Sequence, residues 1–323
     1  MELIRGHYSL RPEHRGCVAT IGKFDGVHLG HQAVLGQVAE KAAELGLPAV
    51  VISFEPQPEE FFTPQLAPAR LTRLREKLKA LSRFAVDRVL CLRFNQRLAS
   101  MAAEAFIETI LVKGLDIRYL VVGDDFRFGH GRRGDFAMLE SVGEARGFAV
   151  ARMHSVHLDG ERVSSTRVRN ALAKGDLEEA QKLLGRPYRI SGRVAHGDKR
   201  GRTMGFPTAN IRLHHKVLPL SGVYSVEVFG LDHEPRIGVA NIGNRPTVDG
   251  QQALLEVNLF DFNEDIYRRY IHVDFVHKLR DEKRFDSLDA LKAQLTADAE
   301  SARRFFNEQN CISQVYPEND GRL

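Results

Sequence analysis

Two histidines three residues apart, His28 and His31, flank Leu29-Gly30 directly after the run Gly22-Lys23-Phe24-Asp25-Gly26-Val27. A glycine-rich segment that opens a helix suits phosphate, because helix N-termini carry unpaired N–H groups and glycine lets a ligand approach the backbone. At this spacing both imidazoles project from one side of the first turn. They could hold the phosphates of ATP and stabilise charge building on a pentavalent phosphorus without a covalent intermediate. Gly22, Phe24, Asp25 and Gly30 are therefore read as phosphate-site residues alongside the histidines. A glycine-rich turn with two surface histidines is the bland alternative, and the adjoining Gly-Lys-Phe-Asp-Gly argues against it.

A second cluster, Ser164-Ser165-Thr166 followed by Arg167 and Arg169, puts hydroxyls and cations at another helix start. Capping accounts for one hydroxyl but not for both serines and the paired arginines. Arg169, one turn into the helix, could neutralise the β- and γ-phosphates of a departing pyrophosphate. Between the clusters lies Gly123-Asp124-Asp125-Phe126-Arg127-Phe128-Gly129. It reads either as a ligand loop, with Asp125 as acceptor and Phe126 or Phe128 as an apolar wall, or as an ordinary strand-to-loop turn. Far downstream, Gly205-Phe206-Pro207-Thr208-Ala209-Asn210 also has the look of phosphate chemistry. Two nucleotide sites in one chain suggest two consecutive reactions.

The elements that must position these groups follow from periodicity. Short apolar runs at Val18 to Gly22, Ala49 to Phe54, Arg88 to Leu92, Tyr119 to Val122 and Phe148 to Met153 alternate with helix-period segments. That pattern predicts an α/β domain with five parallel strands joined by crossover helices. Helical stretches at Thr166 to Lys174 and Leu177 to Leu184 end at Gly185-Arg186-Pro187, which places the domain boundary near residue 186. Beyond it, β-rich runs at Tyr188 to Val194, Gly222 to Phe229, Arg236 to Ile242, Leu254 to Phe260 and Ile271 to Val276 predict an antiparallel barrel or sandwich. A C-terminal helix then carries Leu288, Leu291, Leu295, Ala299, Ala302 and Phe306 as one apolar stripe, with Asp286 placed to cap it. The expected organisation is 1–186, 187–312, and a frayed tail at 313–323.

With 323 residues, two domains are expected, and 43% apolar residues suffice for a core in each. A net charge of +4 suits anionic small molecules at least as well as nucleic acid, so no nucleic-acid partner is expected. Three widely spaced cysteines, Cys17, Cys91 and Cys311, argue against a disulfide framework or a CxxC metal site and for a reducing cytoplasm. No signal core and no membrane span are read. The oligomeric state is not legible.

Together these segments resemble the bifunctional riboflavin kinase and FAD synthetase family of bacteria. His28-Leu29-Gly30-His31 matches the histidine motif of its adenylyltransferase half, and Ser164-Ser165-Thr166 with Arg169 matches that half's second signature. Gly192-Arg193-Val194, Gly197 to Arg202 and the Gly205 to Asn210 segment resemble the flavokinase half. The resemblance runs from about Gly16 to Phe306. It implies a Rossmann-like nucleotidyltransferase fold followed by a six-stranded flavokinase barrel. It also implies an order of reactions: ATP phosphorylates riboflavin to FMN in the second domain, and a second ATP adenylylates FMN to FAD in the first, releasing pyrophosphate.

The residues of the second half can perform what the resemblance implies. Gly197 to Gly201 could cradle the ATP tail with backbone N–H groups helped by Lys199 and Arg200, or be a charged hairpin turn. Thr208 and Asn210, two apart on an extended segment, share a face and offer hard oxygens for Mg²⁺ on the ATP phosphates, or form a proline turn with an Asx cap. Glu256 stands alone in Leu254-Leu255-Glu256-Val257-Asn258-Leu259. Alternation alone allows either a solvent-facing position or a base for the ribityl hydroxyl, and the family's catalytic glutamate falls here. The same resemblance places Asn241 in a flavin-side loop, and Arg280, which opens Arg280-Asp281-Glu282-Lys283-Arg284-Phe285, reads either as flavin-binding in a flavin-side loop or as part of a solvated helix entry. Two departures stand out: Gln57 where many members carry His, and Arg268 where a Gly is expected after Tyr267. Rival readings are a single-activity nucleotidyltransferase with a degenerate barrel and a non-catalytic flavin-binding regulator. The first predicts loss of Thr208, Asn210 or Glu256 and the second loss of His28, His31 or Arg169, yet all are present.

Overall fold

The computed structural model describes residues 1–196, 205–213, 217–247 and 250–315, with backbone alone at 244–247, 250–252 and 310–315. The chain divides into two compact units, Met1–Arg167 and Val168–Leu323. This division falls earlier than the boundary read near residue 186, because the helix Leu177–Leu184 packs on strands of the second unit.

The first unit is built on a six-stranded sheet: β1 (Glu2–Arg5), β2 (Cys17–Ile21), β3 (Ala49–Glu55), β4 (Arg88–Arg93), β5 (Ile117–Gly123) and β6 (Ala149–Met153). All neighbours are parallel, in the order β1-β4-β3-β2-β5-β6. β2 is buried along its whole length, so it reads in sequence as an unbroken apolar run. The sequence reading found five of these strands and missed β1, an edge strand of four residues with a single buried side chain. From β2 the chain winds outward through β3 and β4, then returns to lay β5 and β6 on the other side. This reversal opens a crevice beyond the carboxyl ends of β2 and β5, where such sheets bind ligands. Helix α1 (Leu29–Leu45) starts there and stops at Gly46, whose φ of 63° is the left-handed cap that glycine favours. A small hairpin, β7 (His157–Leu158) and β8 (Glu161–Arg162), precedes the helix Ser165–Lys174.

The second unit closes into an antiparallel barrel of six strands: β9 (Tyr188–Ala195), β10 (Ala209–Arg212), β11 (Gly222–Phe229), β12 (Arg236–Thr247), β13 (Gly250–Leu259) and β14 (Tyr270–Arg280). Their order is β10-β13-β12-β11-β14-β9. Closure leaves no sheet edge exposed. Along β13 the side chains of Ala253, Leu255, Val257 and Leu259 are buried, while Leu254, Glu256 and Asn258 take the other face. The C-terminal helix Leu288–Val315 seats Ala302 against Val223, Val239 and Phe260. Its start is capped by Ser287, whose Oγ accepts from the Ala290 N–H at 3.1 Å, in place of the expected Asp286. Residues 313–315 of the expected tail are helical, and 316–323 lie outside the described residues. Among the described residues, no helix is long and apolar enough to cross a membrane.

Candidate functional sites

At the crevice of the first unit, the loop after β2 is folded tightly. Phe24, Gly26 and Val27 all have positive φ, at 50°, 85° and 46°, a concentration of backbone strain typical of functional loops. Asp25 holds it in place. Its carboxylate is 1% exposed and accepts from the N–H of Leu71 (3.1 and 3.2 Å), the N–H of Thr72 (3.0 Å) and the Thr72 hydroxyl (3.2 Å). Phe24 folds back over Gly22, where an added Cβ would lie 2.9 Å from the ring, and packs with Val27, Leu35 and Val51. The side chains of Phe24 and Asp25, read from sequence as phosphate-site residues, are turned inward and shape the loop.

His28 is the N-cap of α1, its Nδ1 accepting from the His31 N–H at 3.3 Å. That hydrogen bond uses Nδ1 of the ring as an acceptor. His31 stacks on it at 3.7 Å between centroids. Burial, reinforced by the charges of His28, Lys77 and Lys23, holds the His31 imidazole well below its ordinary pKa. His31 is thus kept neutral, and a neutral imidazole has one N–H to donate. Gly30 is needed for proximity: a Cβ there would meet the His28 ring at 3.2 Å and the Val163 carbonyl at 3.5 Å.

That contact brings in the second signature. Ser165 Oγ donates to the Asp25 carbonyl at 2.9 Å, and Ser164 Oγ accepts from the Arg167 N–H at 3.2 Å as a cap. Both serines, which capping alone could not explain, now have separate tasks. Thr166 is exposed, and Arg169 stands one turn past Ser165 on the same helix. The loop after β5 joins through Asp125, which pairs with Arg162 at 2.8 Å; that hydrogen bond lowers the carboxyl's pKa. Phe126 stacks on Phe128 at 5.5 Å, with Phe128 itself 8% exposed in the core, so Phe126 is the more accessible wall. Sequence reading missed Arg70, Thr72 and Lys77. Arg70 Nη2 pairs with Glu55 at 2.7 Å and also binds Glu60. Gln57, in the family's histidine position, is 3% exposed, and its Nε2 has no partner among the described residues. Beside these, at the ends of β1, β3 and β4, a cavity of about 580 Å³ is lined by Arg5, Tyr8, Pro56, Arg93, Arg97 and Leu98, among others.

In the second unit, β-sheet register assembles a polar row. Glu256 on β13 lies directly opposite Asn210 on β10 and Asn241 on β12, all three half-buried and on the outward face. Directly opposed residues stand within about 5.5 Å at Cβ. Asn258 donates to the Pro207 carbonyl at 2.8 Å and Asn210 Nδ2 to the Thr208 carbonyl at 3.3 Å, which fixes the Pro207–Asn210 segment. Next to it, a cavity of about 450 Å³ is lined by Thr208, Asn210, Phe262, Asp265 and Tyr267, among others. Two neutral oxygens from Thr208 and Asn210 fit Mg²⁺ delivered on nucleotide phosphates, since that ion keeps most of its shell from water and phosphate. Among the described residues, no cluster of three or more His, Cys, Asp or Glu side chains forms a protein-only metal cage. The phosphate-loop residues Gly197, Lys199, Arg200 and Gly201 lie outside the described residues.

Arg280, read from sequence as a flavin-side residue, is paired within the protein. Its guanidinium donates to Asp298 on the C-terminal helix at 2.9, 3.1 and 2.7 Å, with Asp298 only 5% exposed. The pair anchors the helix to the barrel. Arg268 adopts φ 67°, the left-handed conformation expected of the glycine it replaces. The turn is held by Arg268 N–H to Val194 O and Val194 N–H to Arg269 O, both 2.9 Å.

A parallel sheet with a glycine loop and a two-histidine helix start at its reversal point defines a nucleotidyltransferase-type domain. The closed barrel with its Thr-x-Asn and glutamate row is of flavokinase type. Family comparison agrees: residues 10–167 match the FAD synthetase model and residues 184–306 the riboflavin kinase model. The chain belongs to the bifunctional riboflavin kinase/FMN adenylyltransferase family. It is 56% identical over 304 residues to the Pseudomonas fluorescens member, covering 94% of this chain and 97% of that one. Identity to the Haemophilus influenzae member is 51%, over 95% of this chain and 100% of the relative. The Escherichia coli K12 member is 53% identical, over 95% and 98%. Among solved structures, one from Streptococcus pneumoniae named as a macrolide-efflux protein superposes with a TM-score of 0.78 at 33% identity, covering 94% of this chain and 99% of that one.

Proposed function

We propose that this chain performs two consecutive steps of flavin cofactor synthesis, the phosphorylation of riboflavin to FMN and the adenylylation of FMN to FAD. The observation that supports the reading is the pairing, in separate units, of a two-histidine helix start after a glycine loop with a barrel row of Asn210, Glu256 and Asn241. In the barrel, Glu256 takes the proton of the terminal ribityl hydroxyl as its oxygen attacks the γ-phosphorus of ATP, with ADP leaving. Thr208 and Asn210 would hold Mg²⁺, which would supply charge neutralisation on the phosphates. Asn241, beside Glu256, orients the substrate hydroxyl.

In the first unit, a phosphate oxygen of FMN attacks the α-phosphorus of the second ATP, the bond to the β-phosphate oxygen breaks, and pyrophosphate departs. His28 and His31 donate to the phosphate oxygens as negative charge gathers on them. The serine signature docks the helix that presents Arg169 to the leaving pyrophosphate. Asp125 and Phe126 face the flavin side. The arginine-lined cavity at the ends of β1, β3 and β4 is large enough for a small-molecule ligand.

Incubating the purified protein with riboflavin, ATP and Mg²⁺ and resolving the products chromatographically tests the reading. FMN and then FAD are expected. Absence of FMN sinks the kinase assignment, and FMN that is never converted sinks the adenylyltransferase. Omitting the metal should stop FMN formation.

A further inference from the structure

Lys77 is a buried cationic side chain near the first site whose contacts among the described residues do not account for its burial. It lies on the helix Leu74–Leu81, is 1% exposed, and its Nζ has no hydrogen-bond partner among the described residues. A buried ammonium without a partner is expensive. Burial lowers its pKa most strongly; the charges of Asp25, Glu55, Arg70 and Cys91 also act on it, and its own charge acts on His31.

The nearby carboxylates are already occupied. Asp25 is taken up by the N–H groups of Leu71 and Thr72. Glu55 is bound twice by Arg70, at 2.7 and 3.1 Å. Lys77 therefore carries positive charge that its surroundings only partly cancel, in a place solvent cannot screen. His31 lies within reach of that charge, and its Nδ1 also has no partner among the described residues. The helix bearing Lys77 begins two residues after Thr72, the residue that clamps the phosphate loop through Asp25 and Gly26. Lysine and loop are thus fixed to one another.

We infer that Lys77 is a positioning residue of the adenylyl transfer, a buried cation that draws the triphosphate onto the His28–His31 turn from inside the fold. The inference rests on the adenylyltransferase reading above. It explains why an unpaired lysine is tolerated in the interior: the anion that compensates it is the substrate.

The test uses the full chain with Lys77→Met and Lys77→Arg, following FMN-to-FAD conversion across pH and riboflavin phosphorylation in the same samples. Lys77→Met should lose on the order of a hundredfold in kcat for FAD formation, with a smaller change in KM and unaltered FMN formation. In the wild type, FAD formation should fall on the alkaline side as the lysine loses its proton, below the ordinary lysine range. Lys77→Arg, which cannot lose its charge there, should restore much of kcat and extend that limb upward. Equal activity and equal pH profiles for wild type and Lys77→Met would overturn the inference. If Lys77→Met does not fold, Lys77→Gln replaces it; loss of the native melting transition in both neutral variants would make the lysine structural and the inference wrong. A wild type that makes no FAD at all overturns the adenylyltransferase reading itself, which is a different outcome.

Discussion

Asp25→Ala separates two roles that the sequence could not distinguish, ligand contact and loop anchor. In the structure the carboxylate satisfies the N–H groups of Leu71 and Thr72 and the Thr72 hydroxyl, all buried. Removing it orphans two buried N–H donors at about 1–3 kcal/mol each. The hydroxyl costs less, because it can rotate, and it still accepts from the Gly26 N–H at 3.0 Å. The shorter side chain leaves space that a water can partly fill, and the desolvation of the carboxylate is recovered, so a net loss of about 3 kcal/mol is expected. That is a large share of the roughly 5–15 kcal/mol that stabilises a domain. Urea unfolding of the full chain, followed by circular dichroism with FAD formation as a second probe, reads this out. The first unit should unfold at lower urea, and FAD formation should fall as the strained loop at Phe24, Gly26 and Val27 relaxes. Riboflavin phosphorylation should persist. An unchanged urea midpoint with a raised KM for ATP would refute the anchoring argument and restore the direct contact.

Glu256→Gln should cut FMN formation by about 10²- to 10⁴-fold while supplied FMN is still converted to FAD, as product chromatography would show; equal loss of both would contradict separate sites. Arg268→Gly relieves a side chain held at φ 67° and should stabilise the barrel by about 0.5–1 kcal/mol, visible as a later urea midpoint. Asp298→Ala leaves the Arg280 guanidinium buried without its partner and should cost about 3 kcal/mol or more. Replacing both by Met and Leu should recover most of that loss, whereas a free flavin-binding arginine would leave stability untouched. Since burial holds His31 neutral, FAD formation should continue without an acid limb down through pH 6.5 and fail only as the pH drops through the lowered value. A limb near the ordinary imidazole value would place the titrating group elsewhere.

Much of the site could be read in the chain because its parts are local. His28 and His31 lie within one helical turn, Thr208 and Asn210 are two apart where a short strand begins, and Ser164 caps the helix that carries Arg169; spacing alone sets such relations. The strand and helix pattern likewise follows from periods of 2 and 3.6. β1 escaped notice because an edge strand of four residues has no alternation to speak of.

Tertiary structure alone decided the relations between distant residues. Ser165 and Asp25 are 140 positions apart, and only folding reveals that a hydroxyl read as a cap ties two signatures together. The sequence places Glu256 in a strand, and only strand register sets it between Asn210 and Asn241. Asp25, Phe24 and Arg280 read as ligand groups by type, and only the fold shows the contacts their side chains make within the protein. Lys77 is one lysine among many in sequence. Its significance comes from burial and from what its neighbours have already bound, and those are sums over the whole fold that no local pattern encodes.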